Sequence, residues 1–191
     1  MNDHKTVELN TTLSPEIAKR VLERLGINTP LQCNEEGLTK LYSSWCRNIP
    51  FDNFWKRLKI NKQEFSDQDQ MNANHFFEIW LKHGVGGTCW TATTAMYEVL
   101  QYLNFDARFV ASSMGDTGAI NHGSLLVSFA DGKEYFIDTS ILNEEPICLN
   151  KLSVENQVHP IQLLKESGTT KIIFELCTKR APMPCAIHKN T

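Results

Sequence analysis

The sequence lacks the features of several large protein classes. It has no excess of basic residues, since 19 lysines and arginines stand against 22 aspartates and glutamates, for a net charge of −3. Nucleic-acid-binding domains usually carry a basic surface, so we expect no nucleic-acid partner. No apolar run approaches the roughly 18 residues that cross a bilayer, and the polar N-terminus has no signal-peptide core. We therefore expect a cytoplasmic protein with no membrane partner.

Cysteine pairs at metal-binding or redox spacing are also missing. The chain has six cysteines but no CxxC pair, the spacing that many zinc sites and thioredoxin-like sites use. The one loose grouping, Cys177, Cys185 and His188, lacks the fourth ligand of a structural zinc site. Thiols of cytoplasmic proteins also stay reduced. We expect neither a metal site nor a disulfide framework.

Helical patterns dominate the first part of the chain. Apolar residues recur at helical spacing in three segments, which end at Gly26, before Pro50 and at Gly84. A longer apolar helix pattern without proline or glycine starts at Cys89. The sequence therefore predicts a helical domain over residues 1–83.

Strand patterns follow the Cys89 helix. From β-branched and aromatic content we predict strands at 108–112, 122–129, 134–141 and 171–176. Asp131-Gly132 is a hairpin signal between two of them. Helices followed by antiparallel strands are typical of an α+β fold. We expect residues 84–191 to form a β-rich domain that the Cys89 helix opens, packed with the helical domain into one compact unit.

Cys89 differs from the other five thiols in its surroundings. It follows a dense glycine cluster, Gly84, Gly86 and Gly87, and stands at the start of a predicted helix. Unpaired amides at a helix N-terminus and the helix dipole stabilise a thiolate, which is the nucleophilic form of cysteine. Glycines let the backbone turn tightly and let a substrate approach. The pattern makes Cys89 a candidate nucleophile, although a cysteine at a helix N-terminus, taken alone, is more often structural.

Two downstream residues extend this candidate site. His122 opens one predicted strand, and Asp138 lies on the next. A histidine activates a thiol by forming an ion pair with it, and a carboxylate orients the histidine. Taken singly, each residue is more typical of a protein core than of a catalytic site, but the three in this order, with glycines before the cysteine, favour catalysis. A turn centred on Asp131-Gly132 offsets the two by three residues, about 10 Å along a strand, so a bulge would be needed to bring them together.

Four segments of the chain match the motifs of one known family. The family's R-x-x-P-F-E-N segment is matched by 47–53, which reads RNIPFDN. Its nucleophile lies in R-G-G-x-C, matched by VGGTC at 85–89. Its histidine opens an apolar strand, matched by HGSLLV at 122–127, and its aspartate follows a D-G hairpin, matched by Asp138 after YFI. The chain resembles the arylamine N-acetyltransferases and is identified as a truncated relative that lacks their C-terminal third domain.

The resemblance implies a cysteine-proteinase-like fold, with three helices first and then the active-site helix and an antiparallel β-rich domain. It also implies acyl transfer in two steps, in which acetyl-CoA as co-substrate acylates Cys89 and the acyl group then passes to an arylamine or similar amine. His122 would take the thiol proton, and Asp138 would hold the histidine tautomer. The partners would thus be a small-molecule amine acceptor and an acyl-CoA donor. The expected substrate-binding residues are Gly87, Thr88 and Trp90, which flank Cys89 along the chain, and Phe51, which lies in the 47–53 segment.

The chain departs from the family pattern at three places. Val85 replaces the arginine of R-G-G-x-C and Asp52 the glutamate of P-F-E-N, two positions that form an ion pair in the family. After Asp138, the usual glycine-containing turn is replaced by TSIL at 139–142. Two alternatives therefore stay open: a transglutaminase-like or hydrolytic thiol enzyme, and a truncated, non-catalytic family member. The sequence does not define the acceptor, the acyl chain or the oligomeric state.

Overall fold

The structure is a computed structural model, and it describes residues 13–28, 30–66, 71–114, 119–151, 153–154, 161–166, 169–174 and 183–188. The described helices come before the strands, as the sequence predicts. In chain order they are α1 (Pro15–Arg24), α2 (Glu35–Asn48), α3 (Phe54–Asn61), α4 (Ala73–His83) and α5 (Cys89–Tyr102).

Local sequence signals explain where three of these helices begin and where one of them ends. The side chain of Ser14 accepts a hydrogen bond from the amide of Ile17 and so caps α1, which has a proline in its first turn. Asn34 and Asn72 cap α2 and α4 in the same way. Gly84 ends α4 at φ +70°, a conformation that glycine adopts without steric cost.

Helix α3 is an addition to the predicted set, because the family resemblance implied three helices before Cys89 and the described residues there form four. No residue of α3 is buried, and Phe54 and Ile60 are 62% and 50% exposed. A helix that buries no apolar stripe has no periodic signal in the sequence. The amide of Phe54, in its first turn, donates to the carboxylate of Asp52 at 3.0 Å.

The strands form one antiparallel eight-stranded sheet. Its order is β4-β3-β2-β1-β8-β7-β6-β5. The strands are β1 (Asp106–Met114), β2 (His122–Ser128), β3 (Glu134–Ile137), β4 (Ile147–Cys148), β5 (Ser153–Val154), β6 (Ile161–Glu166), β7 (Thr169–Phe174) and β8 (Met183–His188). The helices and this sheet confirm the predicted α+β class.

Strand boundaries differ from the predicted ones for identifiable reasons. β1 is longer than the predicted strand at 108–112. β7 has the predicted length but is shifted by two residues toward the N-terminus from the predicted range 171–176. β3 stops at Ile137 because the chain turns away at Asp138, whose carboxylate accepts hydrogen bonds from two amides of the following turn. The sequence did not predict β4 and β5, since strands of two residues are too short to show alternation. β6 and β8 were also missed.

Packing places α5 directly against the middle of the sheet. The larger core cluster contains Trp45 from α2, Phe77 from α4, Met96 from α5 and Leu125 from β2. Leu126, which points to the other face of β2, belongs to a second cluster. Because the larger cluster spans residues on both sides of position 84, the division into 1–83 and 84–191 stays a prediction. Among the described residues, no helix is both long and apolar enough to cross a membrane.

Candidate active site

Cys89 is the first residue of α5 and is partly exposed. The glycines before it are required by close contacts. A Cβ atom at Gly86 would overlap the carbonyl oxygen of Pro50. Gly87 forms a parallel β-bridge with Phe51, and a Cβ there would lie 3.0 Å from the Phe76 ring. The glycine loop, residues 84–88, therefore lies flat against the segment 50–52.

Asp52 fastens this loop. Its Oδ2 accepts a hydrogen bond from the amide of Gly86 at 2.8 Å, and its own amide donates to the carbonyl oxygen of Gly87 at 3.2 Å. The resemblance assigned this position to an ion pair with the residue at 85, which is valine here. In this chain the carboxylate binds backbone amides instead. The N-terminus of α5 is thereby held without an arginine.

The hairpin register brings His122 and Asp138 together. Leu125 pairs with Ile137, so Asp138 follows in line with Ser124 and is offset from His122 by two residues. The predicted offset of three was wrong, because the ladder is centred on Asp131 itself. Since side chains two residues apart on a strand share a face, no bulge is needed. The Nε2 atom of His122 lies 2.6 Å from Oδ2 of Asp138.

The Asp138 carboxylate is buried and receives four hydrogen-bond contacts. Besides His122, the hydroxyl of Ser124 donates to Oδ2 at 3.1 Å. The amides of Ser140 and Ile141 donate to Oδ1 at 2.8 and 3.1 Å. His122 is 4% exposed and Asp138 is fully buried. Donors on both oxygens fix the carboxylate orientation, and with Nε2 facing Asp138 the other ring nitrogen is left for the thiol.

Cys89 and His122 interact, and each alters the pKa of the other. Burial raises the pKa of the Cys89 thiol, but hydrogen bonds from His122 and from the amides of Trp90 and Gly123 outweigh it, so the pKa is lowered overall. Burial lowers the pKa of His122, but the hydrogen bonds to Asp138 and Cys89 raise it to about 10. Opposite shifts of this kind favour a thiolate–imidazolium pair at neutral pH.

The family can be assigned at this point. The sequence profile of the N-acetyltransferase family matches residues 35–180, well over half of the chain. The chain belongs to this N-acetyltransferase family. No curated protein sequence matches the chain.

Solved arylamine N-acetyltransferases share the fold. The protein from Salmonella typhimurium superposes with a TM-score of 0.73 at 17% identity, over 91% of this chain and 64% of its own. The protein from Bacillus cereus, described as having a Cys-His-Glu catalytic triad, superposes with a TM-score of 0.73 at 17% identity, over 93% of this chain and 71% of its own. The Mycobacterium marinum protein in complex with CoA superposes with a TM-score of 0.74 at 17% identity, over 91% of this chain and 65% of its own. This member of the family thus spans just under two thirds of the Salmonella protein's length.

The predicted substrate-binding residues fall into two groups in this family member. Gly87 and Thr88 contribute to a small cavity of about 40 Å³, whose described lining includes neither Phe51 nor Trp90. Phe51 is 46% exposed, and Trp90 packs against Gly123, where a Cβ would lie 2.6 Å from its ring. The cavity lies between the glycine loop, α3 and α4: Asp52, Trp55, Lys56, Lys59, Phe65, His75, Phe76, Ile79, Gly86, Gly87, Thr88 and Thr91. The substrate-binding role of all four residues stays a prediction.

Two residues whose side chains contact Asp138, Ser124 and Tyr42, were not predicted from the sequence. Ser124 lies two positions after His122 on the same face of β2, so the alternation of the strand was a usable signal. Tyr42 lies on α2, and its hydroxyl donates to the main-chain oxygen of Asp138 at 2.6 Å. The two residues are 96 positions apart. The sequence carries no signal for that contact beyond the apolar spacing of α2.

The described side chains contain no group of three histidine, cysteine or acidic residues arranged to hold a metal ion. Four of the six cysteines, Cys33, Cys46, Cys89 and Cys148, are described as free thiols. The side chains of the loose grouping at 177, 185 and 188 lie outside the described residues.

Proposed function

We propose that the chain transfers an acyl group, first of all acetyl, from a CoA thioester to an arylamine or similar nitrogen nucleophile through an S-acyl intermediate on Cys89. One observation carries the proposal. His122 is hydrogen-bonded to Asp138 on one side and interacts on the other with the thiol of Cys89, the first residue of a helix, so that the pKa of the thiol is lowered. Family membership and the CoA complex of the Mycobacterium marinum protein support a CoA thioester as donor.

In the first step, the Cys89 thiolate attacks the thioester carbonyl carbon. A bond forms between that carbon and Sγ, and the bond from carbon to the CoA sulfur breaks. Protonated His122 gives its proton to the departing CoA thiolate. His122 is then neutral, and Asp138 holds it in the tautomer and orientation that the next step needs.

In the second step, the amine attacks the carbonyl carbon of S-acyl-Cys89. The new carbon–nitrogen bond forms as the bond to Sγ breaks, and neutral His122 takes the proton that the amine loses. Cys89 leaves as a thiolate and re-forms the ion pair with His122. The cycle closes with no net change in the protonation of the pair.

The experiment follows release of CoA thiol when the protein is mixed with acetyl-CoA. The proposal expects a burst of one equivalent per protein without acceptor, followed by turnover when an arylamine is added. Cys89→Ser removes the burst, while Cys33→Ser, which alters an exposed thiol, retains it. Steady release without any acceptor would instead indicate the hydrolytic alternative. Absence of release with every donor tested, in a protein that folds, would support the non-catalytic alternative.

A further inference from the structure

The segment that carries Asp138 is attached to helix α2 at three points. We name residues 138–145 the Asp138 loop. The hydroxyl of Tyr42 lies 2.6 Å from the main-chain oxygen of Asp138 and 2.7 Å from Oδ1 of Asn143. Farther along α2, the guanidinium of Arg47 pairs with the Glu144 carboxylate at 2.9 Å.

The contacts of Tyr42 are buried and have a defined donor. Tyr42 is fully buried, and Asn143 is 1% exposed. Nδ2 of Asn143 donates to the carbonyl oxygen of Glu145 at 2.6 Å, which turns Oδ1 toward Tyr42. The single hydroxyl hydrogen of Tyr42 is therefore shared between two carbonyl oxygens, that of the Asp138 main chain and that of the Asn143 side chain. A phenylalanine at this position would leave both buried oxygens without that donor.

The shape of the Asp138 loop depends on such contacts. Leu142 and Glu144 have φ angles of +54° and +65°, in the left-handed region that disfavours side chains with a Cβ atom. Residues in this region persist where surrounding structure holds them. Two of the three attachments to α2 hold this part of the loop. One is made by Glu144 itself, and the other by Asn143, which lies between Leu142 and Glu144. Helix α2 therefore holds a loop that its own backbone preferences do not fix.

Movement of the Asp138 loop would directly change the contact between Asp138 and His122. The amides that orient Oδ1 of Asp138 belong to Ser140 and Ile141, which lie in the loop. Oδ2 of the same carboxylate contacts Nε2 of His122. A shift of the loop changes both sides of the carboxylate together.

We infer that Tyr42 is a positioning residue for the proposed acyl transfer, acting through the main chain of Asp138 on the His122–Cys89 pair. The inference rests on the proposed function. Contacts of this supporting kind typically change activity by about 10- to 100-fold when they are removed. Tyr42 touches no reacting atom, so its loss should lower kcat and leave KM for the acyl donor nearly unchanged.

The test compares Tyr42→Phe with Tyr97→Phe as a matched control. Tyr97 lies on α5 and packs on the Phe109 ring at 4.5 Å, away from the Asp138 loop. The first readout is the rate of iodoacetamide alkylation of Cys89 against pH, located by peptide mapping, which needs no substrate. For Tyr42→Phe we expect the rate at pH 6 to fall about 10-fold and to recover toward the wild-type rate at pH 10. For Tyr97→Phe we expect the wild-type pH profile.

The outcomes separate this inference from the proposed function. A wild-type Cys89 no more reactive than the exposed Cys33 would overturn the proposed function and the inference with it. A selectively reactive wild type with an unchanged Tyr42→Phe profile would overturn the inference alone. If Tyr42→Phe does not fold, Arg47→Gln decides, because that ion pair is exposed. A shift in the same direction supports the inference, and an unchanged profile overturns it.

Discussion

Two regions meet at the Cys89 thiol, and they are built differently. The His122–Asp138 region is made of buried side chains that hydrogen-bond to each other. The glycine loop is held by main-chain contacts with the segment 50–52, and a single carboxylate, that of Asp52, fastens it. The first region sets the charge of the thiol, and the second sets its position. Mutations in the two regions should therefore have different signatures.

The largest effect is expected where the two regions meet. Cys89→Ser should lower the rate of acyl transfer by at least about 10⁴-fold, because the serine hydroxyl is a far weaker nucleophile than a thiolate. Folding should be nearly unchanged, since Cys89 is partly exposed and the two side chains are similar in size. Thermal unfolding beside the transfer assay checks both parts. Retention of full activity on any substrate would show that the nucleophile lies elsewhere.

Asp138→Asn breaks the charge-setting region and should reduce transfer by about 10³- to 10⁴-fold. Asp138 raises the pKa of His122, so its loss lowers that pKa and the imidazolium is lost at lower pH. The thiolate then loses its partner, and the pKa of Cys89 rises. Alkylation of Cys89 should slow in the neutral range and recover in alkali. A variant with the wild-type pH profile would contradict this role of Asp138.

Gly86→Ala alters the position-setting region instead. Its Cβ would overlap the carbonyl oxygen of Pro50, so the loop must move, at a cost of about 1–3 kcal/mol in the free energy of unfolding. Transfer should fall, but the midpoint of the Cys89 alkylation profile should stay where it is, because the His122–Asp138 pair is untouched. Chemical denaturation and the alkylation profile test the two parts. Gly132→Ala, in the distant hairpin turn at φ +80°, is the control for a strained glycine replacement away from the site: it should lower stability without slowing transfer.

Asp52→Asn is the mildest change and sharpens the contrast. The amide keeps one oxygen acceptor, so one of the two backbone hydrogen bonds to the carboxylate is lost, for about 1 kcal/mol of stability. We expect transfer to fall less than in Asp138→Asn, and the pH profile to remain unshifted. A shift as large as that of Asp138→Asn would mean that Asp52 sets the charge of the thiol as well as its position.

How far the sequence predicted this molecule depends on the range of each interaction. Helix α1 follows from its cap and its apolar spacing, and the Cys89 helix follows from apolar spacing; both signals are local. The two-residue strands and the exposed helix α3 have no periodic signal. The hairpin centre was misplaced by half a residue, which changed the offset of His122 and Asp138 from two residues to three. The Tyr42 contact with Asp138 joins distant parts of the chain, so only the folded structure reveals it.

The most direct measurement is the intact mass of the protein after incubation with acetyl-CoA, followed by peptide mapping. The account predicts one added acetyl group per chain, located on Cys89 and discharged by an arylamine. Cys89→Ser should remain unmodified, and the other thiols should stay free in the wild type. An acetyl group found on another residue, or none on a Cys89 that iodoacetamide still alkylates selectively, would contradict acyl transfer from acetyl-CoA through Cys89.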